Sequence, residues 1–154
     1  MSFYNTQTLP NFTVKDPVLK ITQNLLALQS GIVQPVISTI NSSVGVTYTA
    51  QQVLNGSIVR TGTTAGTVTD TFPTAAEIIS EMEHILTKIK GYPVSVVVGD
   101  NFPLIIVNNT NNDVEFNSGA GINNNFSTLS SSDAYRAQLI VTNLSPATIY
   151  LDNL

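Results

Sequence analysis

The chain has 154 residues, with six Lys and Arg against ten Asp and Glu, one His and no Cys. That length fits one domain with an appended arm and suffices for a sizeable core. The missing Cys exclude disulfides, thiolate metal sites and a cysteine nucleophile, and a single His removes most zinc chemistry. A net charge of −4 with scattered acids disfavours a grip on a phosphate backbone, which needs clustered Lys and Arg, so no direct contact with nucleic acid is expected. No apolar run approaches the roughly 20 residues of a membrane helix. The start, Met1-Ser2-Phe3-Tyr4-Asn5, has no basic stretch with an apolar one behind it, so the expectation is a protein made in the cytoplasm without a secretory signal.

Charged residues make up only 10% of the chain, whereas Thr, Ser and Asn supply 49 of the 154. With 42% hydrophobic residues this is a folding sequence with a neutral polar surface, unlike the low-hydrophobicity, high-charge profile of disorder. Thr, Val and Ile suit a pleated, half-buried surface and Asn, Ser and Gly supply turns, so the expected class is mainly β.

Residues 1–46 read as an arm with a short helix. Phe3, Tyr4, Leu9 and Phe12 are spaced irregularly through polar residues. Asp16-Pro17 then supplies a capping residue and a first-turn proline, and Val18, Ile21, Leu25 and Leu28 recur at helical spacing over about 17–30. After Pro35, residues 36–46 fit a strand, an extended arm or another helical turn. Thr49 to Leu54 reads as a short capped helix closed by Asn55-Gly56, Ser57 to Thr61 as a strand, and the Gly/Thr-rich stretch 61–69 as a loop or edge hairpin.

Thr74 opens the clearest helix, about 74–90. Ala75, Ile78, Ile79, Met82, Ile85, Leu86 and Ile89 form one apolar stripe. Early acids, late lysines and the closing Gly91 match the helix dipole and the C-terminal glycine rule. From 93 on, apolar runs alternate with Asn/Ser/Gly turns. The candidate strands are 94–98, 102–107, 114–117, 124–129, 135–142 and 147–151, an antiparallel, sandwich-like rhythm. In the fifth of these Tyr135, Ala137, Leu139 and Val141 share one face, which is expected to be core.

Few patterns carry chemistry. His84 sits on the strong helix with no second His to complete a metal site and no Gly-x-Ser-x-Gly turn to serve. The acids Asp70, Asp100, Asp113, Glu115 and Asp133 read as loop and turn residues before a glycosidase pair. Neither Gly66 nor Gly119-Ala120-Gly121 has the context of a phosphate loop. No catalytic residue, metal ligand or cofactor is therefore expected. Arg60 and Asp70 flank the Gly/Thr loop, where they can meet as a structural ion pair or stand as separate exposed charges. The near-absence of Lys and Pro guards along so many strands suggests edges covered by the arm or by other subunits.

The order Thr49-Ala50-Gln51-Gln52-Val53-Leu54-Asn55-Gly56, Ile58-Val59-Arg60-Thr61-Gly62, Thr69-Asp70-Thr71-Phe72-Pro73-Thr74-Ala75, Gly99-Asp100-Asn101-Phe102 and Ile106-Val107-Asn108-Asn109-Thr110 resembles a β-rich domain of structural proteins in tailed bacteriophages and some large DNA viruses. The likeness continues through Gly119-Ala120-Gly121-Ile122, Arg136, and Val141-Thr142-Asn143 before Ala147-Thr148-Ile149, and spans about 47–152. Two departures stand out. Phe72 occupies the position of the family's usual leucine before proline, and 77–98 exceeds the typical helix-to-strand interval.

The resemblance implies a non-enzymatic virion protein, a capsid decoration (cement) or minor capsid subunit on the shell surface. Its implied partners are the major capsid protein or other virion subunits and copies of itself, trimers being frequent among such modules. On this reading residues 1–46 are an arm whose Phe3, Tyr4 and Phe12 make subunit contacts, and 47–154 form the virion domain. The alternative is a fibre or spike head that binds a host receptor or glycan through the loops 108–113 and 123–125. A small glycan hydrolase ranks below both.

Overall fold

The computed structural model describes residues 36–125 and 128–154. The helix expected over 17–30 and the aromatic residues Phe3, Tyr4 and Phe12 lie outside the described residues. Within them the protein is mainly β, with 47% strand against 18% helix.

The chain runs β1 (Val36–Asn41), α1 (Ala50–Leu54), β2 (Gly56–Gly62), β3 (Val68–Thr71), α2 (Ala75–Lys90), β4 (Asn101–Thr110), β5 (Val114–Asn117), β6 (Ile122–Asn124), β7 (Thr128–Leu129), β8 (Ala134–Leu144) and β9 (Ala147–Asn153). Six strands form one sheet in the order β1-β2-β4-β8-β9-β6, and three form another in the order β3-β5-β7.

Both sheets are mixed, which corrects the antiparallel expectation. β1 with β2, β2 with β4, β3 with β5 and β6 with β9 run parallel, while β4–β8, β8–β9 and β5–β7 are antiparallel. The helices explain the difference, since parallel neighbours need a crossover connection. α1 carries the chain from β1 back to the start of β2, and α2 lies in the connection from β2 to β4. Residues 36–41, open among three readings in the sequence, are thus the first strand of the sheet.

Two expected strands change character. Residues 94–98 form no strand, because their backbone donors turn to side chains: Val94 N–H donates to Thr87 Oγ1, Val96 N–H to Glu83 Oε1 and Val97 N–H to Asp100 Oδ2. The run 124–129 is divided between β6 of the large sheet and β7 of the small one. The Gly/Thr stretch is no hairpin either, since β2 and β3 on its two sides belong to different sheets.

Both helices begin with reciprocal caps. Thr49 and Gln52 form a capping box on α1, and Thr74 and Glu77 do so on α2, each satisfying donors that a helix start leaves open. Gly91 closes α2 in the left-handed conformation, φ 77°, where a side chain would be strained.

One buried cluster draws on every layer: Val53 from α1, Ile78 and Met82 from α2, Ile58, Leu104, Ile106 and Leu139 from the large sheet, and Val114, Phe116 and Leu129 from the small one. Phe72 sits at its aromatic centre, 5.6 Å from Tyr48 in an edge contact and 5.7 Å from Phe116 in a stacked one. In β8 the face expected to be core holds buried Ala137, Leu139 and Val141, with Tyr135 half-buried beside them.

Candidate functional site

Most of the buried polar side chains of the described residues gather in two internal networks. The first joins the sheets. Arg60 on β2 and Asp70 on β3 are both wholly buried, and Arg60 Nε lies 2.6 Å from Asp70 Oδ2. The remaining guanidinium nitrogens donate to backbone, Nη1 to Ile40 O at 3.2 Å and Nη2 to Val44 O at 3.1 Å. Asp70 also accepts the Val46 N–H at 3.0 Å and the Tyr48 hydroxyl. Every charge is thus met by a partner, the condition under which a buried pair is tolerated. Burial, and then the negative charge of Asp70, push the Tyr48 hydroxyl far above its ordinary range, so it remains a proton donor to the carboxylate. The network ties residues 40–48 to β2 and β3, and its Arg60, Asp70 and Tyr48 side chains are closed to solvent.

The second network uses the Asn-rich turns. Buried Asn108 donates through Nδ2 to Asn112 O and Leu129 O, and its Oδ1 accepts from the Thr110 N–H and hydroxyl. Asn111 and Asn112 both bond Thr64 in the Gly/Thr loop, while the Ser131 hydroxyl donates to Thr110 O at 2.6 Å. Of the amides that a glycan site at 108–113 would use, those of Asn108, Asn111 and Asn112 are engaged with Thr64, Thr110 and backbone, while Asn109 is exposed.

The structure therefore brings Arg60 and Asp70 together, through the packing of two sheets instead of a hairpin. It places His84 in solvent on α2. Tyr48 and Thr64, partners in the two networks, carried no signal in the sequence, being single residues in stretches without periodicity. Among the described residues no group of three or more His, Cys, Asp and Glu stands where it could hold a metal ion, and no helix is long and apolar enough to cross a membrane.

Three surface features remain. A shallow open groove of about 680 Å³ lies between the starts of the two helices, lined by Tyr48, Ala50, Pro73, Ala76, Glu77 and Glu81 among others. Glu77 is engaged there as the helix cap: hydrogen bonds from the Thr74 N–H and then its hydroxyl hold its carboxyl below the ordinary carboxylate value. The second feature is β1, which ends the large sheet with only β2 beside it among the described residues. It has no charged residue, and Val36 and Ile37 are 65% and 61% exposed. The third is the far half of α2 with the loop after it, where Tyr92, Val97 and Val98 are exposed.

Comparison with models of known protein families, with curated proteins and with solved structures finds no match to this chain.

Proposed function

We propose that the protein is a non-enzymatic assembly subunit, a capsid decoration or minor capsid protein that binds other virion subunits on the outside of a shell. The observation that carries this reading is where the unsatisfied apolar surface lies. Two polar networks are turned inward and spent on structure, whereas an uncharged edge strand and the half-covered end of a long helix face outward. Exposed apolar area and unguarded strand edges are what contact surfaces are made of. The sequence resemblance over 47–152 points the same way.

In this reading the two sheets stack as a sandwich around one core, supported by Phe116 of β5 and Tyr135 of β8 lying 6.5 Å apart. The buried ion pair fixes one sheet on the other, so the outward surfaces keep their mutual geometry. Phe3, Tyr4 and Phe12 of the arm add contacts to neighbouring subunits, aromatic anchors being the usual source of interface energy. A subunit that binds only the assembled lattice stabilises it by mass action, and contacts to several neighbours at once multiply the effect.

The test is immunogold electron microscopy of particles purified from the virus that encodes the chain, using antibody raised against the recombinant protein. Regular labelling of the particle surface is expected. Particles free of label, with the chain recovered only from host cell extract, contradict the proposal.

A further inference from the structure

The large sheet has two faces, and the described helices and the small sheet cover one of them. Val53 of α1, Met82 of α2 and Phe116 of the small sheet pack in one cluster with Ile58, Ile106 and Leu139, which puts all three elements on the same side. Strand alternation turns the intervening residues to the other side. There Thr39, Val59 and Val107 form one row across β1, β2 and β4, and Ile37, Ser57 and Ile105 form the next. Ile37 is 61% exposed, while Val59, Ile105 and Val107 are half-buried and stand outside the core cluster. Over β1, β2 and β4 this second face carries no charged residue.

A sheet with one face in water alternates apolar and polar residues, whereas parallel strands covered on both faces read as unbroken apolar runs. β2, β4 and β8 are of the second kind: Ile58-Val59, Leu104-Ile105-Ile106-Val107 and Leu139-Ile140-Val141. Their composition calls for a second layer.

We infer that residues 17–30 of the same chain pack as a helix on this second face, over β1, β2 and β4. The chain outside the described residues ends at Val36, the first residue of β1, which is the edge strand of that face. The five residues Gly31 to Pro35 reach at most about 17 Å, and packed layers lie about 10 Å apart, so a helix that closes at residue 30 can turn directly onto its own sheet and run back against β1. The dimensions agree. From β1 to β4 is about 10 Å, the width of one helix. The stripe from Val18 through Ile21 and Leu25 to Leu28 is about 15 Å long, against about 13 Å from Pro103 to Val107 along β4. A segment tethered this closely meets the face at an effective concentration on the order of millimolar, an advantage no separate copy has. This docking is independent of what the domain binds, and it leaves Phe3, Tyr4 and Phe12 ahead of the helix as the part of the arm that reaches neighbours.

The test uses the full chain, which has no cysteine of its own. Val107→Cys places a lone thiol on the second face, and Glu115→Cys, at an exposed position of the small sheet, is the open control. The Val107→Cys thiol should react with a soluble disulfide reagent at least about tenfold more slowly than the control. Adding Ile21→Asp/Leu25→Asp should bring it to within about threefold of the control, whereas Gln23→Asp, on the opposite side of the stripe, should leave it protected. Circular dichroism checks that each variant folds, and Ile105→Cys is the second site should Val107→Cys unfold. A Val107→Cys thiol as reactive as the control, or one that the stripe substitutions leave protected, overturns the inference. So does protection that disappears on about hundredfold dilution, or that the stripe variant regains when mixed with wild type, since either result assigns the cover to a second copy.

Discussion

Arg60 Nε and Asp70 Oδ2 lie 2.6 Å apart with neither side chain reaching solvent, and because one residue belongs to the six-stranded sheet and the other to the three-stranded sheet, this pair is a charged tie between the two. Removing one member strands the other charge in the interior, which costs about 3–5 kcal/mol. Asp70→Ala and Arg60→Ala should each lower stability by about that amount in urea titration. The double variant Arg60→Met/Asp70→Leu should lose less than either single one. A double variant as unstable as the sum of the singles would show that the two residues act independently.

Tyr48 gives the same network a pH signature. Its hydroxyl pKa is raised above the ordinary value of 10, first by burial and then by Asp70. Below pH 10 the folded and unfolded chains both hold this proton, so the group adds no pH dependence. Above it the unfolded chain releases the proton while folded Tyr48 keeps it, and stability falls by about 1.4 kcal/mol per pH unit. Tyr48→Phe should remove that part of the alkaline loss and cost about 1–2 kcal/mol at neutral pH, through the donor taken from Asp70. Unfolding free energies measured from pH 8 to 11 for both proteins check the slope.

Asn108 holds the end of β4, the bend at Asn112 and β7 together through four side-chain hydrogen bonds. Asn108→Ala should destabilise by about 2–3 kcal/mol, since it takes the acceptor from the buried Thr110 N–H and a donor from Leu129 O, while Asn112 O keeps the Thr110 hydroxyl. Asn108→Asp keeps the shape but loses both amide donors, so it should rescue little. Thermal melts of the two variants decide the matter: a neutral Asn108→Ala would mean that the network is ornamental to stability.

Thr74 caps α2, accepting from the Glu77 N–H at 3.2 Å. Thr74→Ala should cost about 1 kcal/mol. Because hydrogen bonds from Thr74 lower the Glu77 pKa, the contribution of that carboxylate is present above its unfolded value and fades as pH falls through the lower, folded one. Acid titration of stability should therefore show a limb below pH 4.5 that Thr74→Ala diminishes.

Much of this fold is legible where local rules act alone. The Thr74 cap, the apolar stripe through Ile89 and the closing Gly91 all depend on residues within one helix, and alternation along Tyr135–Val141 depends on one strand. Strand direction is different: β1 and β2 run parallel because α1 intervenes, a consequence of the whole β1-α1-β2 path that no single segment displays. Residues 94–98 mislead for a related reason. Their Val-rich composition favours a strand, but Thr87, Glu83 and Asp100 take their backbone donors. Arg60 and Asp70 were visible as a candidate pair by charge and spacing, whereas Tyr48, the third member, is separated from Asp70 by 22 residues and signals nothing on its own.

As a proposed assembly subunit, this chain would be held to its neighbours by the arm and by the outward surfaces of the domain. Light scattering of the full-length protein beside its Phe3→Ala/Tyr4→Ala/Phe12→Ala variant tests it most directly. The account predicts a self-associated wild type whose mass falls when the three aromatic anchors are removed. A mass that the three substitutions leave unchanged contradicts the arm's part in holding those neighbours.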